Sequence, residues 1–506
     1  MSVEELEIGG LFRVSTGVQG LDDILLGGWP VNHIYLVEGS PGAGKTTLAL
    51  QFLLEGARRG EKVLYVTLAE SKSELEAVAA SHGISLQGIQ IHEYAPTEDI
   101  LRKENEYSAL YPAEVEFHDT MQAILTQVDA IRPSRVVLDS LSEVRILARD
   151  ALRYRRQVLA MKHFFLNRNS TVLMLDEPPP SREDYQLQSI AHGVLSLYRL
   201  ERDYGGERRR LRVSKLRGSS FREGFHDYTI KQGGLVVYPR LIANEHRHTQ
   251  FSGVAKSGMQ TLDELCGGGL PMGTATVVKG PAGCGKSTIV TRFAHHAAVG
   301  GTKAAIYQFD ESLATTLTRS KALGMDLGPL IEQGLLELKQ FDPAEVPPGE
   351  FIAHVRDAVE NRGVQLVAID TINGFMNAMA GEQRLLLQMH ELCMYLNQRG
   401  VLTFLVLSQS GVVGPTSPEG VELSYLADNV MIMNYFEAFG EVRKAISVLK
   451  MRVGWHEPSI RELRFANGSV SVGEPLRQFQ GILSGIPTYT GSHSILDSAI
   501  GDQQGV

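Results

Sequence analysis

Short apolar runs recur along the chain, each bounded by glycine, proline or polar clusters. In the first half they fall at residues 34–37, 63–67, 135–138, 171–175 and 195–200. Continuous apolar runs of this length predict strands buried on both faces of a sheet. Stretches with helical periodicity lie between them, as at residues 47–54 and 151–167. The second half repeats the alternation, with strands expected at 276–278, 304–307, 366–369 and 401–407. Strands alternating with helices predict an α/β fold in which a mainly parallel sheet is flanked by helices.

The pattern is a true repeat. GSPGAGKT spans residues 39–46 and GPAGCGKS spans residues 280–287, with lysines 286 − 45 = 241 positions apart. Gly17, Leu21, Asp22 and Pro30 recur at the same offset as Gly258, Leu262, Asp263 and Pro271. A self-similarity of this length divides the chain into tandem domains. The expected boundaries are 1–243 for the first, 244–252 for a polar linker, 253–480 for the second and 481–506 for a tail rich in Gly and Ser.

Composition narrows the setting. Of 506 residues, 43% are hydrophobic and 21% charged, as in ordinary globular proteins. A net charge of −9 argues against nucleic-acid binding through a broad basic surface. Three scattered cysteines supply neither a disulfide frame nor a zinc site. No apolar run is long enough to span a membrane, and the first residues lack a leader pattern. A reducing cytoplasm is the expected location. Arg208, Arg209, Arg210 and Arg212 form a basic run that reads as a solvated hairpin rather than a nucleic-acid contact.

The chemistry resides in the glycine-rich loops. Both fit G-x-x-x-x-G-K-[ST], and each follows an expected strand and opens an expected helix. In such a loop backbone N–H groups and a helix N-terminus face a nucleotide's phosphates. The candidate ligands are Gly39, Gly42, Ala43, Gly44, Lys45, Thr46 and Thr47 in the first half. In the second they are Gly280, Ala282, Gly283, Cys284, Gly285, Lys286, Ser287 and Thr288. Lys45 and Lys286 would reach the β- and γ-phosphates, and the hydroxyls of Thr46 and Ser287 would bind Mg²⁺. RVVLD and LVAID end in Asp139 and Asp370, whose carboxylates would orient the metal through water. Glu70 in VTLAES, and Asp310 with Glu311 in QFDES, are candidates to take a proton from the attacking oxygen. Late in each half, Lys215 with Arg217 and Lys450 with Arg452 form K-x-R pairs that a strand would send to one face. Such cations can come from a neighbouring subunit to stabilise a transferring phosphoryl group.

With these residues in place, the chain resembles the KaiC family of tandem RecA-like P-loop ATPases. The most specific segments are TGVQGLDDILLGG, K-L-R-G, K-M-R, Trp455 with His456, and ILSGIPT at residues 482–488. The resemblance implies a homohexamer of two stacked rings with ATP and Mg²⁺ between subunits. It implies a slow ATPase in the first domain and an added serine/threonine autokinase in the second. Position by position, Ser81 would contact the base of the first nucleotide, and Lys215, Leu216, Arg217 and Ser219 would come from the next subunit. Lys450, Met451, Arg452 and His456 would do the same at the second, where Asp310 would also assist the metal. The family's adjacent phosphoacceptors fall at Ser424 and Tyr425. The family carries two adjacent glutamates in each half, whereas this chain has Ala69 and Asp310 at the leading positions. A KaiB-like partner is implied. The tail to Val506 is shorter than the family's regulatory tail, which argues against docking of a KaiA-like activator. Two alternatives are a recombinase- or helicase-like DNA motor and a nucleotide-gated scaffold ring.

Overall fold

The computed structural model describes residues 6–8, 11–94, 112–148, 151–178, 186–202, 204–246, 253–377, 385–409, 426–438, 440–466, 468–483 and 487–490. The chain divides into two compact units, Met1–Arg240 and Leu241–Val506. Leu241 and Ala243 already belong to the second unit's core, packed with residues such as Leu392 and Tyr395.

The main sheet of the first unit is built from β1 (Ile34–Gly39), β2 (Val63–Thr67), β3 (Gln90–Glu93), β4 (Arg135–Asp139), β5 (Thr171–Asp176), β6 (Gly193–Leu200), β7 (Arg208–Leu216), β8 (His226–Lys231) and β9 (Gly234–Tyr238). They form one nine-stranded sheet in the order β3-β2-β4-β5-β1-β6-β7-β8-β9. The sheet is parallel from β3 to β6 and antiparallel from β6 to β9. Central β1 is buried throughout: its apolar run from Ile34 to Val37 requires it, and the buried Glu38 that follows accepts from Ser196 and Gln188. Helices α1 (Lys45–Arg58) and α2 (Lys72–Ser81) follow β1 and β2. Helix α1 buries Leu48, Leu50, Phe52 and Leu53.

The second unit has β10 (Ala275–Gly280), β11 (Ala304–Gln308), β12 (Leu336–Gln340), β13 (Leu366–Asp370), β14 (Leu402–Ser408), β15 (Asn429–Ala438), β16 (Glu441–Met451), β17 (Arg461–Ala466) and β18 (Ser469–Pro475). Their order, β12-β11-β13-β14-β10-β15-β16-β17-β18, reproduces the first sheet position by position. Helices α3 (Lys286–Val299) and α4 (Leu313–Ala322) lie 241 residues after α1 and α2 (286 − 45 and 313 − 72). Each unit is therefore a RecA-like α/β domain.

The predicted strands form, most of them extending a residue or two past the apolar runs. The helix after the first loop begins at Lys45 rather than residue 47. Gly44, at φ 92°, turns the loop straight into the helix, a backbone conformation that favours glycine. The basic run departs from the solvated hairpin expected of it. Arg208 is buried at 3.6 Å from the Asp227 carboxylate, Arg210 lies 3.3 Å from the same group, and Arg209 pairs with Glu207 at 2.9 Å. Strand alternation turns Arg208 inward, and Asp227 on β8 neutralises it. Among the described residues no helix is long and apolar enough to cross a membrane.

Candidate active site

Each phosphate loop leaves the carboxyl end of its unit's central strand, the usual ligand edge of an open α/β sheet. Gly44 and Gly285, at φ 92° and 109°, cap α1 and α3. A Cβ on Gly285 would lie 2.5 Å from Phe465 Cζ, so bulk is excluded there as well. The two lysines fold back over their loops. Lys45 Nζ donates to Gly39 O at 2.6 Å, and Lys286 Nζ donates to Gly280 O and Pro281 O at 2.8 and 2.7 Å. Burial lowers the pKa of both ammonium groups, more than the nearby carboxylates can offset for Lys45. A bound triphosphate would supply the missing counter-charge. Cys284 is buried in the second loop, and burial pushes its thiol pKa up, which marks packing rather than reactivity.

The strand-end aspartates meet the loop hydroxyls. Asp139 Oδ2 accepts from Thr46 Oγ1 at 3.2 Å and from the Tyr65 hydroxyl at 2.5 Å. In the second unit the Ser287 hydroxyl is the neighbour that most favours the charged form of Asp370. Burial raises the pKa of both carboxyls. A hydroxyl beside a strand-end carboxylate in each unit is a donor set that fits a hard, oxygen-loving cation held partly by phosphate. The peptide bond after each aspartate, to Ser140 and to Thr371, is cis.

The candidate bases differ between the two sites. Glu70 is fixed through its backbone, its N–H donating to Thr67 Oγ1 at 3.0 Å, while its buried Oε2 has no hydrogen-bond partner. Burial, followed by Asp139 and Glu74, raises its pKa against the pull of Lys45. In the second unit Glu311 is held. Both its oxygens lie 2.6 Å from Arg319 Nη1, and Oε2 also accepts from Thr316 Oγ1 at 3.0 Å. Asp310 accepts from the Thr371 hydroxyl and lies over Gly374, where a Cβ would come within 2.2 Å of Oδ1.

The K-x-R cations lie at the opposite edge of each sheet. Leu216 pairs with Gly193, which pairs with Tyr35, whereas the loop departs from Gly39. The four residues between amount to about 13 Å of strand. In the second unit Met451 pairs with Asn429 and Asn429 with Thr276, again at the far end from Gly280. Lys215 Nζ donates to Gln188 O and Ala191 O at 2.6 and 2.7 Å, and the exposed Arg217 donates to Ser189 O at 2.7 Å. Lys450 Nζ donates to Ala427 O at 2.8 Å, and Arg452 reaches Asp428 at 3.2 Å. Strand β7 stops at Leu216 and β16 at Met451, so both arginines sit just past a strand end. Ser219 accepts a hydrogen bond from Arg13. Ser81 Oγ donates to Val78 O at 2.8 Å on exposed helix. His456 follows the exposed Trp455, whose carbonyl lies 1.8 Å from where a Cβ on Gly267 would stand. Ser424 and Tyr425 lie outside the described residues.

Sequence reasoning missed the residues that brace this geometry. Arg199 Nη1 donates to Pro41 O at 3.3 Å, and at the matching place in the second sheet the Tyr435 hydroxyl donates to Ala282 O at 3.1 Å. Tyr65, Arg319 and Thr371 were missed too. Their partners are distant in sequence or off helical spacing, so only the repeat offset, compared position by position, carried a signal.

Two phosphate loops, each facing a strand-end aspartate on a RecA-like sheet, define a tandem P-loop ATPase. The KaiC ATPase family matches residues 14–242 and 255–477, and the chain belongs to it. It is 27% identical to the circadian clock oscillator protein KaiC of Picosynechococcus sp., covering 95% of this chain and 93% of that one. The corresponding protein of Acaryochloris marina is 26% identical over 94% and 91% of the two chains. The circadian clock protein KaiC3 of Synechocystis sp. is 24% identical over 97% of each.

Proposed function

We propose that the protein is an ATP-driven homo-oligomeric ring, hexameric by family, in which each nucleotide is bound between subunits. The loop of one subunit holds the phosphates, and the K-x-R cations of its neighbour complete the site. The observation that carries this is the strand register. Lys215 and Arg217, like Lys450 and Arg452, sit at the edge away from their own unit's loop, out of reach of the nucleotide that loop would hold. A bound Mg²⁺ would neutralise phosphate charge, with Thr46 and Asp139, or Ser287 and Asp370, as its protein-side partners.

At the first site Glu70 orients and deprotonates water. The water oxygen bonds to the γ-phosphorus, the bond to the β,γ-bridging oxygen breaks, and ADP and phosphate leave. At the second site the acids Asp310 and Glu311 serve the same step or transfer to a hydroxyl. Ser424, with Tyr425 beside it, is the acceptor by position in the family. There the hydroxyl oxygen bonds to the γ-phosphorus and its proton passes to a carboxylate. The circadian clock role of the similar proteins makes signalling or timing the natural role, with a KaiB-like protein as a partner. The neutralised arginine run removes the strongest sequence support for a DNA motor.

Light scattering with and without ATP tests the assembly. ATP should convert small species to one of about six subunits, and a monomer with full activity would contradict the proposal. Incubation with γ-labelled ATP and site mapping tests the kinase. Label at Ser424 or Tyr425 is expected, and unlabelled residues with intact hydrolysis would remove the kinase from the account.

A further inference from the structure

The two sites hold their acids differently, and one side chain accounts for it. Glu70 and Glu311 occupy equivalent positions, each just before the serine N-cap of the next helix, Ser71 for α2 and Ser312 for α4. The groups facing them do not match. Gln308 Nε2 donates to Thr316 Oγ1 at 2.6 Å, Thr316 donates to Glu311, and Arg319 grips both Glu311 oxygens from two turns into α4. At the repeat offset these positions in the first unit are Thr67, Leu75 and Val78 (308 − 241, 316 − 241 and 319 − 241). Leu75 is buried in the core, Val78 carries no charge, and Thr67 bonds only the Glu70 backbone, so none of the three restrains the Glu70 carboxylate. The charged neighbours that act on Glu70 are Asp139 and Glu74, which repel it, and Lys45, which attracts it. Arg319 Nε and Nη2 make no hydrogen bond, so Glu311 is the polar anchor of that guanidinium. Arg319 and Glu311 both act on Asp370, which places the pair within the second phosphate site.

We propose that Arg319 is a positioning residue of the second site, which by gripping Glu311 withholds that carboxylate from proton transfer, leaves the proton to Asp310, and keeps hydrolysis there below that of the first site. This rests on the reading above that the second site turns over ATP. With both oxygens held by Arg319 and one also by Thr316, Glu311 cannot turn toward an attacking oxygen without breaking a charge-assisted contact. Asp310 retains an oxygen outside its bond to Thr371. Its side chain is shorter than a glutamate's, which suits an acceptor hydroxyl held at a set distance better than a freely placed water. The arrangement therefore slows water attack while sparing transfer to a positioned hydroxyl.

The test uses the full chain with Lys45→Ala, so that ATP turnover reports the second site. Adding Arg319→Val, the first unit's residue, should raise kcat about tenfold with KM for ATP unchanged. Arg319→Lys, which keeps the charge on a smaller, more strongly hydrated head, should fall between. An unchanged or lower kcat in a folded variant overturns the proposal. So does a raised KM, which would make Arg319 a phosphate ligand. Should Arg319→Val fail to fold, Val78→Arg with Lys286→Ala should slow the first site, and an unchanged rate there overturns the proposal. Absence of turnover in the Lys45→Ala chain despite ATP binding would defeat the reading of the second site itself, and the proposal with it.

Discussion

At the scale of single residues, the account turns on Glu70, a carboxyl with an unpartnered oxygen in a site that also holds Asp139. Burial and its acidic neighbours raise its pKa. It must be ionised to accept a proton, so first-site turnover should fall as pH drops, and the fall should begin above the ordinary glutamate range. The acid limb of kcat/KM, measured with Lys286→Ala to silence the second site, checks this for the free protein. Glu70→Gln should lower that turnover by about 10²- to 10⁴-fold. The sign for stability is opposite. A carboxyl whose folded pKa is raised contributes stability below its unfolded pKa and loses it as pH rises through the folded value. At neutral pH Glu70→Gln should therefore melt above the parent, and a lower melting temperature would show that Glu70 is held by contacts this account lacks.

At the scale of elements, one buried arginine joins α1, β4 and the segment before β1. Arg135 is fully buried and pairs with Glu61 at 2.7 Å, donates to Ser15 O and Phe52 O, and lies 4.8 Å from the Phe52 ring. Arg135→Ala leaves Glu61 without its counter-charge in the interior and should cost about 3–5 kcal/mol. Replacing both, as Arg135→Met with Glu61→Gln, should recover part of the loss. Urea unfolding of the full chain checks both, with the first unit's transition moving to lower urea in the single variant. The central strands and both phosphate loops were legible in the sequence because parallel strands buried on two faces read as unbroken apolar runs. Strands such as β8 and β17 were not, since charged residues interrupt their apolar positions. RRRLRVSKL looked like a basic patch because Asp227, which neutralises it, comes from another strand. Arg319 was hidden for a related reason: Glu311 precedes α4, so the pair does not have the i, i+4 spacing that marks a helical ion pair.

At the scale of the whole molecule, duplication gives two sites with one topology and different chemistry. Equivalent positions of the two units hold Arg199 and Tyr435, Val78 and Arg319, Ala69 and Asp310. What the two units keep in common is the separation between loop and cations, and on the proposed function each nucleotide is a link between copies. The most direct test of that claim mixes two inactive chains. One carries Lys45→Ala with Lys286→Ala and keeps its arginines; the other carries Arg217→Ala with Arg452→Ala and keeps its loops. Co-assembled in equal amounts, they should regain about a quarter of the parent's ATP turnover, because head-to-tail contacts place an intact loop against an intact arginine at that frequency. A mixture no more active than its two components measured separately would mean that each site is completed within one subunit, contrary to this account.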